Sequence, residues 1–178
     1  MIVSLSNLVA SPAVEFTIEQ QLRGEPAAVE GILLDPEFIV ARAALPKLGD
    51  AELLESTHNG DEARQRIRLR FTAPLAPAVT AVIDPNRLTW IDDATYDLSA
   101  HTAEHRVVPD HYADRLSCSY RTVIEATPDG SRRSMAGTIK VRMPLVGGKV
   151  ERAIVSGLTE HAVAEADLVN EWLARRQD

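Results

Sequence analysis

The sequence has few of the features that mark secreted, membrane-spanning or nucleic-acid-binding proteins. It contains one cysteine, Cys118, among 178 residues, so an intramolecular disulfide is excluded and a reducing compartment is expected. Acidic residues outnumber basic ones and give a net charge of −7, which disfavours nucleic acid or an anionic membrane as an electrostatic partner. No run of about 20 apolar residues is present, and no Lys or Arg precedes the apolar N-terminal stretch. We therefore expect a cytoplasmic protein with neither a secretory signal nor an integral membrane segment.

Internal repeats, low-complexity tracts and linker-like segments are also lacking, so nothing indicates a second domain. Hydrophobic residues make up 45% of the chain and charged residues 25%, as in ordinary globular proteins long enough to bury a core. We predict a short N-terminal arm over residues 1–13 and a single domain over residues 14–176.

The C-terminal stretch, residues 147–176, predicts one long amphipathic helix. It contains no proline, and its apolar residues recur at three- and four-residue steps, the spacing of one helix face. These residues are Val155, Leu158, Ala162, Ala166, Val169 and Leu173. Four acidic residues, Glu151, Glu160, Asp167 and Glu171, fall largely on the other side. At about 1.5 Å per residue the helix would be roughly 40 Å long, so it needs a broad apolar surface to pack on.

Most of the preceding segments alternate apolar and polar residues, which predicts half-buried strands. A first strand over residues 15–23 is followed by two short helices over 26–34 and 36–45, each opened by a proline. Further strands are predicted over residues 51–58, 63–71, 87–98, 102–108, 116–126 and 133–143, with one helical turn over 78–83. Sequential strands joined by short turns favour an antiparallel sheet, which can curl around the long helix and leave a cavity. The predicted fold class is therefore α+β.

Several features together resemble the START-like superfamily, which includes Bet v 1-type proteins, polyketide cyclases of the SRPBCC type and lipid-transfer domains. They are the order of elements, the opening strand, Trp90 in a central strand, the PLVGGKVE junction at residues 144–151 and the Trp172-Leu173 ending. The chain is most similar to a mostly actinobacterial family of unknown function within that superfamily, over residues 14–175. The resemblance implies a helix-grip fold, in which a curved antiparallel sheet of about seven strands wraps around a long C-terminal helix. An apolar cavity lies between the sheet and the helix. It implies no catalytic residues, because superfamily members share the cavity more than any chemistry.

Eight residues on faces assigned inward are the candidate ligand-binding residues of this cavity. They are Phe71, Trp90, Tyr96, His105, Tyr120, Met135, Ile139 and Leu158. Aromatic side chains with one polar tip suit a pocket that is mainly apolar with a few directional contacts, although they also suit a solid core. We expect Trp90, His105 and Tyr120 to orient a ligand.

Asp92 is an unusual member of the same inward face, because a buried carboxylate is costly unless it is paired. A pair with His105 or Tyr120 would be able to perform acid/base chemistry on a polyketide-like substrate, although no motif supports that role. Cys118 shares the inward face of its strand and is expected to be a buried thiol.

Two short motifs suggest other chemistry. His101-Thr102-Ala103-Glu104-His105 matches the H-x-x-E-H pattern of one class of zinc peptidases. That pattern needs a helix, whereas this stretch reads as strand, where four residues span roughly 13 Å, so we predict a turn histidine and a strand histidine instead of a metal site. Gly147-Gly148-Lys149 lacks the remaining residues of a phosphate-binding loop and is predicted to form a tight strand-to-helix corner. No cofactor is expected.

A row of four arginines follows one face of the 63–71 strand: Arg64, Arg66, Arg68 and Arg70. Such a row can meet an acidic head group or partner. We favour a solvated outer face, paired with acidic residues of neighbouring strands.

Three functional hypotheses remain open from the sequence. The favoured one is a protein that binds a small apolar or amphipathic molecule, lipid-like or polyketide-like, between the sheet and the terminal helix. The second is an enzyme of the cyclase or dehydratase kind that uses polar residues in the same cavity. The third is a partner-binding protein with a filled core and no ligand.

Overall fold

In the computed structural model of the protein, a curved antiparallel sheet wraps one side of a long C-terminal helix. The structure describes residues 12–81 and 83–176, so the arm predicted over residues 1–13 lies almost wholly outside the described residues. The strands are β1 (Val14–Leu22), β2 (Leu48–Asn59), β3 (Glu62–Phe71), β4 (Thr89–Asp97), β5 (Thr102–Pro109), β6 (Leu116–Thr127) and β7 (Gly130–Val141). The helices are α1 (Pro26–Leu33), α2 (Pro36–Arg42), α3 (Pro77–Thr80) and α4 (Gly147–Arg175).

The strand order is β1-β7-β6-β5-β4-β3-β2, and every neighbouring pair is antiparallel. Strands β2 to β7 therefore follow one another as a meander, while β1 joins the far edge beside β7. The two short helices after β1 and the long helix after β7 complete the predicted α+β architecture, which is confirmed.

Several bounds differ from the prediction by up to three residues. α2 ends at Arg42 instead of residue 45, because the next three amides bond to carbonyls three residues back and form a tighter turn before Pro46. β4 starts at Thr89 instead of residue 87, because Pro85–Arg87 forms a short 3-10 helix. Other differences are the earlier starts of β2, at Leu48, and of β7, at Gly130, and the earlier ends of β7, at Val141, and of α3, at Thr80 instead of residue 83.

A single glycine allows neighbouring strands near one edge of the sheet to approach closely. Gly137 on β7 pairs with Phe16 on one side and Tyr120 on the other. A Cβ at position 137 would lie 2.3 Å from the carbonyl oxygen of Ser119 and 2.4 Å from the Tyr120 Cβ, so only glycine permits this approach. The Phe16 and Tyr120 rings meet over the gap with centroids 6.2 Å apart.

The helix α4 buries the predicted apolar face and one acidic residue that we expected outside. Ala162, Val169 and Leu173 are buried, whereas Glu160, Asp167 and Glu171 are exposed. Glu151 is 2% exposed, so its assignment to the polar side was wrong. Its Oε1 accepts a hydrogen bond of 2.8 Å from the amide of Val141, and this bond satisfies the last donor of β7 at the strand-to-helix corner.

The row of arginines on β3 faces away from α4 and is paired with acids, as the outer-face interpretation predicted. Arg64 binds Asp93 at 3.0 Å, and Arg68 lies 3.2 Å from Asp110. The other two pairs are Arg66 with Glu55 and Arg70 with Asp50. Within the described part of the chain, no helix has the length and apolar character needed to cross a membrane.

Candidate functional site

A cavity of about 110 Å³ lies between the concave face of the sheet and α4. Its lining extends from Val141 to Arg133 along β7, eight residues or roughly 26 Å, so the cavity is elongated. At the Val141 end it is bordered by the exposed residues Arg87, His111 and Arg115, which we call the mouth. The wall between the two ends is mostly apolar.

A hydrogen-bonded group of three side chains interrupts the apolar wall: Asp92 on β4, His105 on β5 and Tyr120 on β6. His105 Nδ1 lies 3.1 Å from both carboxylate oxygens of Asp92, and the Tyr120 hydroxyl donates to Asp92 Oδ2 at 2.9 Å. The His105 ring stacks on Tyr120 with centroids 4.2 Å apart, and the edge of Tyr96 meets it at 5.9 Å. The strand register explains the meeting, because His105 is directly opposite Tyr120 and lies two residues from the partner of Asp92.

Asp92 fixes one side of the imidazole and leaves the other side open. Because ionised Asp92 is an acceptor only, it holds the hydrogen on His105 Nδ1. His105 Nε2 is buried and has no hydrogen-bond partner among the described residues. An imidazole held in this way is able to accept or donate a proton at Nε2.

A second buried polar group, which sequence reasoning missed, lies at the cavity end remote from the mouth. Glu165 on α4 accepts a hydrogen bond of 2.8 Å from Arg133 Nη1 at Oε2, and its Oε1 is ion-paired with Arg42 Nη2 at 2.9 Å. Gln20 on β1 accepts from Arg133 at 3.1 Å and donates to the carbonyl of Ala162 at 2.6 Å. The group therefore joins α2, α4, β1 and β7, and Arg42, Arg133 and Glu165 line the cavity.

The family model described as "Protein of unknown function (DUF2505)" matches residues 17–173, nearly the whole described chain. The chain belongs to the DUF2505 family. No functionally curated protein matches the sequence.

Solved structures share the fold of the DUF2505 chain at low sequence identity. The protein TTHA0849 from Thermus thermophilus superposes with a TM-score of 0.64 at 14% identity, over 94% of this chain and all of that one. The Zhui aromatase/cyclase from Streptomyces sp. R1128 gives 0.61 at 16% identity, over 94% and 96% of the two chains. Norcoclaurine synthase from Thalictrum flavum, in complex with dopamine and hydroxybenzaldehyde, gives 0.63 at 11% identity, over 100% and 98%. These similarities confirm the predicted START-like, helix-grip fold.

All eight predicted site residues line the cavity of the DUF2505 chain. Tyr96, His105, Phe71 and Ile139 are buried, and the other four are partly buried. Phe71 packs against α4 at Gly157, where a Cβ would lie 2.8 Å from its ring. Whether these residues contact a ligand stays a prediction. Cys118 also lines the cavity, and burial raises the pKa of its thiol to about 12, as expected for an unreactive buried thiol.

Electrostatics fix the protonation states in the first polar group. Burial alone would raise the pKa of Asp92, but His105, the Tyr120 hydroxyl and Arg42 together hold it below its ordinary value. Burial raises the pKa of Tyr96 to about 12, and burial together with the Asp92 charge raises that of Tyr120 well above its ordinary value. Asp92 is therefore an ionised acceptor at neutral pH, and both tyrosines keep their hydroxyl protons.

The charges at the remote end follow the same reasoning. Burial would raise the pKa of Glu165, but Arg42, Arg133 and His161 lower it well below its ordinary value. The carboxylate is therefore ionised, and its two arginines leave this group with one net positive charge.

The two short motifs of the DUF2505 chain have structural roles. His101 lies in the turn before β5 with a φ of 52° and bonds Glu30 at 2.8 Å, whereas His105 points into the cavity and Glu104 pairs with Arg121 outside. The prediction of a turn histidine and a strand histidine is confirmed. At the other motif, a Cβ on Gly147 would lie 2.5 Å from the Val141 carbonyl oxygen, so the glycine permits the tight corner into α4. Among the described residues, no cluster of three His, Cys, Asp or Glu side chains has the arrangement of a metal site.

Proposed function

We propose that this protein binds a small amphipathic molecule in the cavity between the sheet and α4, with its polar atoms directed at Asp92, His105 and Tyr120. The observation that carries the proposal is the unpartnered Nε2 of His105 in a wall that is otherwise mainly apolar. Sites for small molecules commonly combine an apolar lining with a few fixed polar groups. A filled-core protein would have no such cavity, so the partner-binding hypothesis is disfavoured.

The size of the cavity limits the ligand. Its volume of about 110 Å³ is of the same order as the engineered cavity of about 150 Å³ that holds benzene. A body the size of one ring is therefore accommodated, and a longer molecule would extend through the mouth. Burying about 150 Å² of an aromatic ring contributes roughly 4 kcal/mol, so single-ring molecules should bind weakly, on the order of millimolar.

Proteins of the same fold are consistent with this proposal. One has a solved complex with dopamine and hydroxybenzaldehyde, both single-ring molecules with polar substituents, and another is an aromatase/cyclase. At their identities they support a shared fold, and the ligand of this chain has to be established on its own.

Binding is tested by native mass spectrometry of protein purified without detergent, beside the same sample denatured. The matched variants are Leu158→Trp, which places an indole in the cavity, and Val163→Trp, which adds it on the exposed side of α4. We expect extra mass of a few hundred daltons on the wild type and on Val163→Trp, and at least a tenfold loss of the bound fraction in Leu158→Trp. Equal occupancy in the two variants, with both folded by circular dichroism, would contradict a ligand in this cavity.

An enzyme of the cyclase or dehydratase kind is the second candidate, and one observation favours it. Asp92 orients His105 so that Nε2 is able to take a proton from a bound substrate, which is the arrangement of a general base. Asp92→Asn distinguishes the two candidates once a ligand is known. A carrier should keep its affinity within a few-fold, whereas an enzyme should lose turnover by about 10²-fold or more with little change in affinity.

A further inference from the structure

We propose that the mouth of the cavity binds a carboxylate group of the ligand by means of Arg87 and Arg115. This inference rests on the proposed function and adds the chemical class of the ligand, an apolar body that ends in a negative charge. It also assigns a role to two residues outside the two buried polar groups.

The first step is the charge of the residues that line the cavity. Four arginines and two acidic residues line it, which leaves two net positive charges, although the whole chain has a net charge of −7. Histidines of the lining can only add to this positive charge, so two is a lower limit. The charged residues of the lining are Arg42, Arg87, Arg115, Arg133, Asp92 and Glu165. A cavity more positive than the rest of the molecule favours an anionic ligand.

The mouth, and not the remote end, is where the anion of a ligand fits best. Arg42 and Arg133 lie 2.9 and 2.8 Å from the buried carboxylate of Glu165, so a second anion there would compete with one already in place. Arg87 has no carboxylate partner among the described residues; its contacts are with His111 Nδ1, at 3.3 Å, and with an aromatic ring. The Arg87 side chain is exposed, so an anion that binds it keeps part of its hydration.

The ring of Tyr112 holds both mouth arginines. The guanidinium carbons of Arg87 and Arg115 lie 5.5 and 5.9 Å from its centroid. The Tyr112 hydroxyl accepts a hydrogen bond of 3.2 Å from the amide of Asp84, and its carbonyl accepts one of 2.8 Å from the amide of Arg115, so Tyr112 ties the two loops together. A guanidinium over an aromatic ring keeps N–H groups along its edge, and these match the two oxygens of a carboxylate.

Three acidic residues near the mouth lie outside the cavity lining: Asp84, Asp110 and Asp114. Asp84 caps the short 3-10 helix, and Asp110 is paired with Arg68 at 3.2 Å on the outer face of the sheet. Asp114 lies 3.8 Å from Arg115, but its side chain is 82% exposed. Because an ion pair that exposed contributes little, Arg115 is able to exchange Asp114 for a ligand carboxylate.

The test uses three probes with one ring and one four-carbon chain that differ only in the charge at the end: 4-phenylbutanoate, 4-phenylbutan-1-ol and 4-phenylbutan-1-amine. At neutral pH they are negative, neutral and positive. Dissociation constants come from NMR chemical-shift titration of ¹⁵N-labelled protein at low ionic strength. The variant combines Arg87→Gln with Arg115→Gln. Its control combines Arg64→Gln with Arg121→Gln, which removes the same charge from the outer face of the sheet.

We expect 4-phenylbutanoate to bind the wild type at least about fivefold more tightly than the alcohol, and the amine to bind most weakly. The mouth variant should lose this preference for the acid while it binds the alcohol within about twofold of the wild type, and the control should keep the preference. The preference should also weaken as salt is added.

The inference is overturned if the wild type binds the alcohol or the amine as tightly as the acid, because the cavity would then hold the ring without reading the charge. It is also overturned if the preference survives in the mouth variant, or falls equally in the control. Failure of all three probes to bind the wild type would instead overturn the proposed function together with the inference.

Discussion

Replacing Gln65 by methionine should stabilise the protein, which is unusual for a substitution in a core. The Gln65 side chain is 1% exposed and makes no hydrogen bond with the described residues. Folding therefore removes the amide from water without replacing the lost hydrogen bonds, a cost of about 1–3 kcal/mol. Methionine has a similar shape and no donor to satisfy. We expect the free energy of unfolding to rise by about 1–2 kcal/mol, which corresponds to roughly 2–8 °C in Tm for a chain of this length.

Gln20→Met is the matched control, because Gln20 is equally buried but fully bonded. Its amide donates to the Ala162 carbonyl at 2.6 Å and accepts from Arg133 at 3.1 Å. Methionine there would remove both hydrogen bonds from this buried group, although Arg133 keeps its bond to Glu165, so we expect a cost of about 2 kcal/mol. The two glutamine variants should thus move stability in opposite directions.

Urea unfolding followed by circular dichroism measures both effects as shifts of the midpoint at unchanged slope. Destabilisation by Gln65→Met of the size seen in Gln20→Met would refute the reasoning. It would show that the Gln65 amide is hydrogen-bonded in the folded protein.

Three other perturbations have outcomes that the structure predicts. Glu165→Gln should lower the unfolding free energy by about 3–5 kcal/mol, because two buried arginines lose their counter-charge, whereas Arg64→Ala on the exposed sheet face should change little in the same urea titration. Gly137→Ala should lower the free energy of unfolding by about 1–3 kcal/mol or prevent folding, because its Cβ would lie 2.3 Å from a strand carbonyl oxygen. Its control, Gly148→Ala, has no atom nearer than 3.5 Å to the new Cβ and should keep or raise Tm. Equal melting temperatures of the two variants would contradict the close approach at Gly137. Asp92 and Glu165 have pKa values held below their ordinary values of 3.8 and 4.5 in spite of burial, so they stabilise the fold above those values and lose that contribution as pH falls through the folded-state pKa values. Urea midpoints that stay constant from neutral pH into this acid range would contradict the assignment.

Periodicity was sufficient to predict most of the fold. Period-two alternation identified the strands, and the three- and four-residue spacing in residues 147–176 identified α4 and its buried face. The same alternation brought the seven candidate residues on strands to the cavity wall, because each strand has only two faces and one of them meets α4, and the helical spacing placed Leu158 there. Asp92 was recognised as inward from its register with Trp90, and its two partners were among those considered.

The buried group around Glu165 was missed for a physical reason. A pattern of apolar and polar residues assigns charged residues to the outer face. Arg133, however, lies two residues before Met135 and so on the same face of β7, and Glu165 lies about one helical turn after Ala162. These positions are inward by geometry and outward by residue type, and none of them was named as a site residue. Gln20 and Arg133 are 113 residues apart, and no local spacing encodes a contact of that range. A charged residue in step with apolar ones on a predicted inner face is the signal that would have found them.

The place of β1 at the edge beside β7 determines the order in which a newly made chain completes its sheet. β1 ends at Leu22, whereas its partner strand is complete only at Val141, 119 residues later in the sequence. At about 5–20 residues per second, a ribosome needs roughly 6–24 s to supply that partner. Strands β2 to β7 can each pair with the preceding strand as the chain emerges. β1 stays unpaired until β7 is made, so it joins the sheet last, at about the time that α4 is synthesised. The buried group at Glu165 takes residues from β1, α2, β7 and α4, so it forms only when the first and last parts of the chain meet. A ribosome-bound chain that ends before α4 would therefore expose the cavity wall and leave Arg133 without its carboxylate.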